Sequence, residues 1–142
     1  MTTVEIAGDP RKEGIYFLPE GTTWGKLHEI RLVPTMLNIG RHENARICAG
    51  SVFDISADGD VKTARMADTK RLALGLPVNL NRVSEEDLML IPGIGERMAR
   101  RIIQLRNQKG ALQDLSELMA IPGVGEKTLN GLREYLITAE LP

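Results

Sequence analysis

The chain has 142 residues, with 18 Lys plus Arg against 19 Asp plus Glu and a formal net charge of −1. That near-neutral balance excludes a global basic field of the kind that drives strong non-specific association with nucleic acid, and 4% aromatic content excludes an aromatic base-stacking platform for single strands. A lone cysteine, Cys48, excludes an internal disulfide.

From the N-terminus, Val4-Glu5-Ile6-Ala7 and Ile15-Tyr16-Phe17-Leu18 read as short strands separated by the turn-rich segment from Gly8 to Gly14. Thr22 or Thr23 is placed to cap a short helix carrying Trp24, Leu27, Ile30 and Leu32. Asp58-Gly59 between Ser51–Ala57 and Asp60–Met66 is a hairpin signal. Strand, strand, helix and hairpin together imply a small β-grasp-like α+β domain. Trp24 is expected in its core and Cys48 as a buried, inert thiol. Asp54, Asp58 and Asp60 lack calcium-loop spacing and read as a solvated turn. His28 and His42 have no cysteine or second histidine at ligand spacing. No metal or cofactor site is expected.

Asp68 is placed to cap a helix over residues 67–75, which Pro77 ends. The boundary is set there, giving an N-terminal module at 1–76 and a second domain at 77–142.

The second domain is built on a repeat. Leu88-Met89, Ile91-Pro92-Gly93 and Gly95-Glu96 return thirty positions later as Leu118-Met119, Ile121-Pro122-Gly123 and Gly125-Glu126. Ser84 with Asp87 resembles a capping box, and Asp114 opens the second copy. After the first hairpin, Met98, Ala99, Ile102, Ile103 and Leu105 make one apolar stripe; Leu129, Leu132, Tyr135 and Leu136 are its expected counterpart. Neither short unit buries its stripe alone, so the copies are expected to pack as one all-α, four-to-five-helix domain connected through Asn107-Gln108-Lys109-Gly110.

Helix, glycine hairpin and helix is also a way to hold a phosphate. Gly93, Gly95, Gly123 and Gly125 let the backbone turn and approach a partner closely, with Ile94 and Val124 between them. The amides that start the next helix are unpaired and sit at its positive end. Arg97, Arg100 and Arg101 in one copy and Lys127 in the other supply charge, with Arg106 and Lys109 in second rank. Such contacts address the DNA backbone and are independent of base sequence. The first hairpin is expected to be the main grip, because Arg97 to Lys109 carries five basic residues and no acidic one. Glu96 and Glu126 work against it, since a carboxylate at that position repels phosphate. A glycine hairpin also serves as a plain packing connection, and that reading stays open.

Val78-Asn79-Leu80-Asn81, Ser84-Glu85-Glu86-Asp87-Leu88, Ile91-Pro92-Gly93-Ile94-Gly95, Ala99, Arg101-Ile102-Ile103, Arg106, Lys109-Gly110, Asp114-Leu115, Leu118 and Ile121-Pro122-Gly123-Val124-Gly125 resemble the tandem helix-hairpin-helix domain of ComEA-type competence proteins. The resemblance covers residues 78–137 and departs from the family at Glu96, Glu126 and Leu112. It implies a receptor for incoming double-stranded DNA outside the cytoplasmic membrane. The run Val4, Gly8, Gly14-Ile15-Tyr16, Gly21-Thr22-Thr23 and Leu27 is similar to the SLBB β-grasp module, which implies self-association or a protein partner. No stretch reads as a membrane span or signal peptide. The expected location is therefore extracytoplasmic if a leader or anchor precedes residue 1, and cytoplasmic if the chain is whole. No nucleophile with a base and no carboxylate cluster marks an enzyme. The alternatives are a structural protein whose hairpin domain makes protein contacts, and a ligand- or polysaccharide-binding β-grasp protein.

Overall fold

A computed structural model of the chain describes residues 1–34 and 43–139. It divides into two compact units, Met1–Met66 and a second that begins at Ala67. Of the residues singled out in the sequence, His42 lies outside the described residues.

In the first unit, β1 (Thr2–Ala7) and β2 (Gly14–Leu18) pair antiparallel, with Val4 opposite Tyr16. After helix α1 (Trp24–Glu29), β3 (Ser51–Ile55) lies parallel to β1, and β4 (Val61–Arg65) returns antiparallel to β3. The sheet order is β2-β1-β3-β4. Alternation directs Val4, Ile6, Phe53 and Ile55 to one face, where they pack with Leu27 and Val33. Trp24 joins this core partly buried, its ring 4.8 Å from that of Phe53 in an edge-on arrangement. Thr23 is the residue that caps α1, its hydroxyl accepting from the Lys26 amide. The helix ends at Glu29 with Ile30 as its C-cap, short of Leu32, and Arg31 beyond it adopts a φ of 59°. Cys48 is exposed, contrary to expectation, because its neighbour Ile47 takes the inward position.

The second unit opens with α2 (Asp68–Ala73). A boundary at Pro77 places this segment in the N-terminal module, yet Leu72 packs on the second unit's core and Arg71 donates from Nε to the Pro77 carbonyl at 3.0 Å. Thr69 also donates to Asp87 at 2.9 Å. Asp68 is not the cap. Ala67 holds that position without a side-chain bond, and Asp68 lies in the first turn, where it suits the helix dipole.

Two helix-turn units follow: α3 (Glu85–Leu88) with α4 (Glu96–Lys109), then a 3₁₀ helix (Leu115–Ala120) with α5 (Glu126–Leu132). One apolar core joins them, with Leu88, Ala99 and Ile102 from the first copy and Leu118, Leu129 and Leu132 from the second. The four-helix expectation changes in two places. Helix α4 continues through Asn107, Gln108 and Lys109, since no breaker precedes Gly110, whose φ of 78° ends it. Helix α5 is only 7 residues long and carries Gly131, a poor helix former. Tyr135 and Leu136 therefore fall beyond it. Leu136–Ile137 forms β6, which pairs parallel with β5 (Val78–Asn79). Asn81 reinforces this clasp: its Nδ2 donates to the Leu112 and Thr138 carbonyls at 2.8 and 3.1 Å, and its Oδ1 accepts from the Leu112 amide at 2.8 Å.

The caps differ between copies. Ser84 accepts from the Asp87 amide at 3.0 Å, but the Asp87 carboxylate turns to Thr69, so this box is one-sided. Asp114 and Glu117 form a complete box. The Lys109 ammonium, then the amides of Asp114 and Gln113, hold the Glu117 carboxyl down to about 2. The hydroxyl and amide of Ser116 lower Asp114. A depressed carboxyl contributes stability that is present above its unfolded pKa and is lost as pH falls through its folded value. Urea midpoints of the protein should therefore drop between about pH 4.5 and pH 2, and Glu117→Gln should lower the midpoint at pH 7 and flatten that acid limb.

Candidate nucleic-acid interface

The hairpins have the same geometry. In each, the middle apolar residue points inward: Ile94 is 4% exposed and Val124 6%. Their amides are also committed, Ile94 to the Ile91 carbonyl and Val124 to that of Ile121, both at 3.1 Å. These two residues fasten the hairpins from inside and offer nothing outward.

The glycines divide into two kinds. Gly93 and Gly123 have φ of 91° and 93°, a left-handed turn that only glycine adopts without strain. Gly95 and Gly125 are different. Their φ values of −91° and −106° lie in extended backbone open to any residue, and a Cβ at either would meet nothing within 4 Å. Neither backbone strain nor internal packing requires glycine there, yet both copies have it. Open space lies on the outside there, beside the amides of Gly95, Glu96 and Arg97 and their counterparts in the second copy. These amides donate to no group among the described residues. Behind the first set runs a helix of 14 residues, against 7 behind the second.

The structure sorts the cations more sharply than spacing does. Arg97 and Lys127 are exposed, with no internal partner among the described residues. Arg100 is shared between Glu96 and Glu85, the latter at 3.4 Å. Arg101 donates from Nη1 to the Pro122 carbonyl at 3.2 Å. Arg106 donates to the carbonyls of Leu80 and Val83 at 3.1 and 2.8 Å, and Lys109 pairs with Glu117 at 2.8 Å. Four members of the basic run thus hold the fold together, while Arg97 and Lys127 stay unengaged among the described residues. The contrast drawn from charge counts alone, in which the first hairpin dominates, does not carry over to these partners. Glu96 is likewise occupied by Arg100.

A depression of about 320 Å³ is lined by Pro92 and Gly93 of the first hairpin and by Lys127, Thr128, Gly131 and Leu132 of α5. Its signal in the sequence was the repeat itself, which sets Gly131 opposite Arg101. Among the described residues, no group of three His, Cys, Asp or Glu side chains is placed to hold a metal. No helix among them is long and apolar enough to cross a membrane.

Residues 75–137, a little under half of the chain, match the family described as the helix-hairpin-helix motif. That motif fits non-specific DNA binding in general and points to a nucleic-acid partner. No curated protein matches the chain.

The two kinds of glycine should separate on substitution. Gly93→Ala forces a Cβ into a left-handed turn and should cost about 1–2 kcal/mol in urea unfolding. Gly95→Ser, a good cap in a compatible backbone, should stay within about 0.5 kcal/mol of the native protein or exceed it. Arg106→Ala strips two carbonyls of a charged donor and should cost about 1.5–3 kcal/mol by the same measurement.

Proposed function

We propose that this chain binds duplex DNA through its phosphates without regard to base sequence, as a binding module and not a catalyst. The observation that carries the reading is the glycine at 95 and 125, where the fold makes no demand for one and the open space lies beside unpaired amides. A phosphate oxygen is an acceptor that fits such a site: it takes amide hydrogens, benefits from the positive end of the helix and needs close approach. Arg97 and Lys127 then contribute charge-assisted contacts. Arg100 and Arg101 are further candidates, at the cost of loosening the contacts they make in the free protein.

The finer reading is a ComEA-like competence protein that takes up DNA outside the cytoplasmic membrane. Its support is the order of the two modules and the matching motifs quoted above. The N-terminal unit, with strand, strand, helix and two further strands around a parallel β1–β3 pair, supports an SLBB-like β-grasp reading, and with it self-association or a protein partner. A second reading, in which the hairpin domain makes protein contacts, is favoured by Met89, Leu90 and Met119. They are 40%, 55% and 43% exposed and stand immediately before the hairpins.

Fluorescence anisotropy with labelled duplexes of unrelated sequence tests the DNA reading. Affinity should be the same for each duplex and fall linearly in log K against log salt. Arg97→Gln and Lys127→Gln should each reduce that slope by about one. Absence of binding at low salt removes the DNA reading and leaves the protein-contact one.

A further inference from the structure

The sequence pairs each hairpin with the cation two residues beyond its own last glycine. The packing pairs them otherwise. Hairpin 91–95 presents Pro92 and Gly93 to a depression whose opposite wall is α5, with Lys127 and Thr128 among its lining residues. In the other half of the repeat, the tip of hairpin 121–125 is met by α4, where the Arg101 guanidinium donates to the Pro122 carbonyl. Arg101 and Gly131 are equivalent positions of the repeat. The same crossed contact is therefore closed by a side chain on one side and left open on the other, because glycine stands where arginine would reach.

We infer that the phosphate held by hairpin 91–95 is met by Lys127 of the second repeat across the open depression, with the Thr128 hydroxyl as an additional donor, so that this grip is a composite of both repeats. The inference rests on the proposed DNA binding and assigns its charge partners. Lys127 has no internal partner among the described residues, so its ammonium is free to turn into the depression. The Gly93 amide on the facing wall is also without one. The residues that line the concavity carry a backbone N–H, an ammonium and a hydroxyl, all donors and the set an anionic oxygen accepts from. A single hairpin unit lacks that set, which gives the duplication a role in binding beyond its role in the core.

A double-mutant cycle on duplex affinity tests this, using Lys127→Gln with Gly95→Ser in the first hairpin and with Gly125→Ser in the second. Each serine supplies a cap oxygen that competes for the helix-start amides and adds bulk where the phosphate approaches. Urea midpoints on every variant confirm folding. Lys127→Gln alone should weaken binding about 3- to 10-fold. Its effect should shrink to less than about 2-fold in the Gly95→Ser protein and keep its full size in Gly125→Ser. The opposite pattern, with Lys127 coupled to Gly125→Ser, assigns the cation to its own hairpin and overturns the inference. So does full additivity in both backgrounds. Wild-type protein that fails to bind duplex at all overturns the DNA reading itself, a result distinct from either.

Discussion

The helical unit depends on one constraint: neither hairpin repeat can bury its apolar face alone, so both must contribute to a single core. Ile91 and Ile94 from one copy and Ile121 and Val124 from the other are all nearly inaccessible. Each such side chain is worth about 1.5–3 kcal/mol removed from water. Because the apolar residue between the glycines is drawn inward, the chain on either side is turned outward. Pro92, Gly93 and Gly95 lie on the surface for that reason, as do Pro122, Gly123 and Gly125. The surface proposed to hold a phosphate is thus a by-product of the same burial that closes the fold.

That shared core also draws on the charged residues around it. Most of the basic side chains near the hairpins are consumed by the scaffold. Arg106 satisfies two carbonyls of the connector before α3, Arg101 rests on the second hairpin, and Lys109 anchors the capping box of the 3₁₀ helix. Among the described residues, Arg97 and Lys127 remain unengaged at the starts of the two helices that follow the hairpins. Such a surface offers oriented amides more than net charge, which accords with the proposed binding to the DNA backbone without regard to the bases.

The two copies have diverged around their common hairpin. The first has the long helix α4 and a half-complete cap, while the second has a full capping box and the short helix α5. The short helix releases Leu136 and Ile137 to pair with Val78 and Asn79, and that clasp ties the last segment of the unit to its beginning. Gly131 does two things at once: it weakens the end of α5, and it leaves open the depression that its counterpart Arg101 closes in the other half.

Much was legible in the sequence because it was local. Strand alternation at Val4 and Ile6, the Asp58-Gly59 turn, the caps at Ser84 and Asp114 and the thirty-residue repeat each depend on neighbours within a few positions, where periodicity and hydrogen-bonding chemistry are decisive. By itself the sequence determined an α+β chain with a duplicated glycine hairpin and the residues that form it. Only the tertiary structure decided which of the hairpin's neighbours are free. Whether Arg106 faces solvent or the Leu80 carbonyl, whether a side chain at position 95 would meet other atoms, and whether α2 belongs to the first unit or the second depend on residues distant in the chain. So does the meeting of β5 with β6. Contacts of that kind are set by how two apolar faces choose to share one core, and no local pattern encodes that choice.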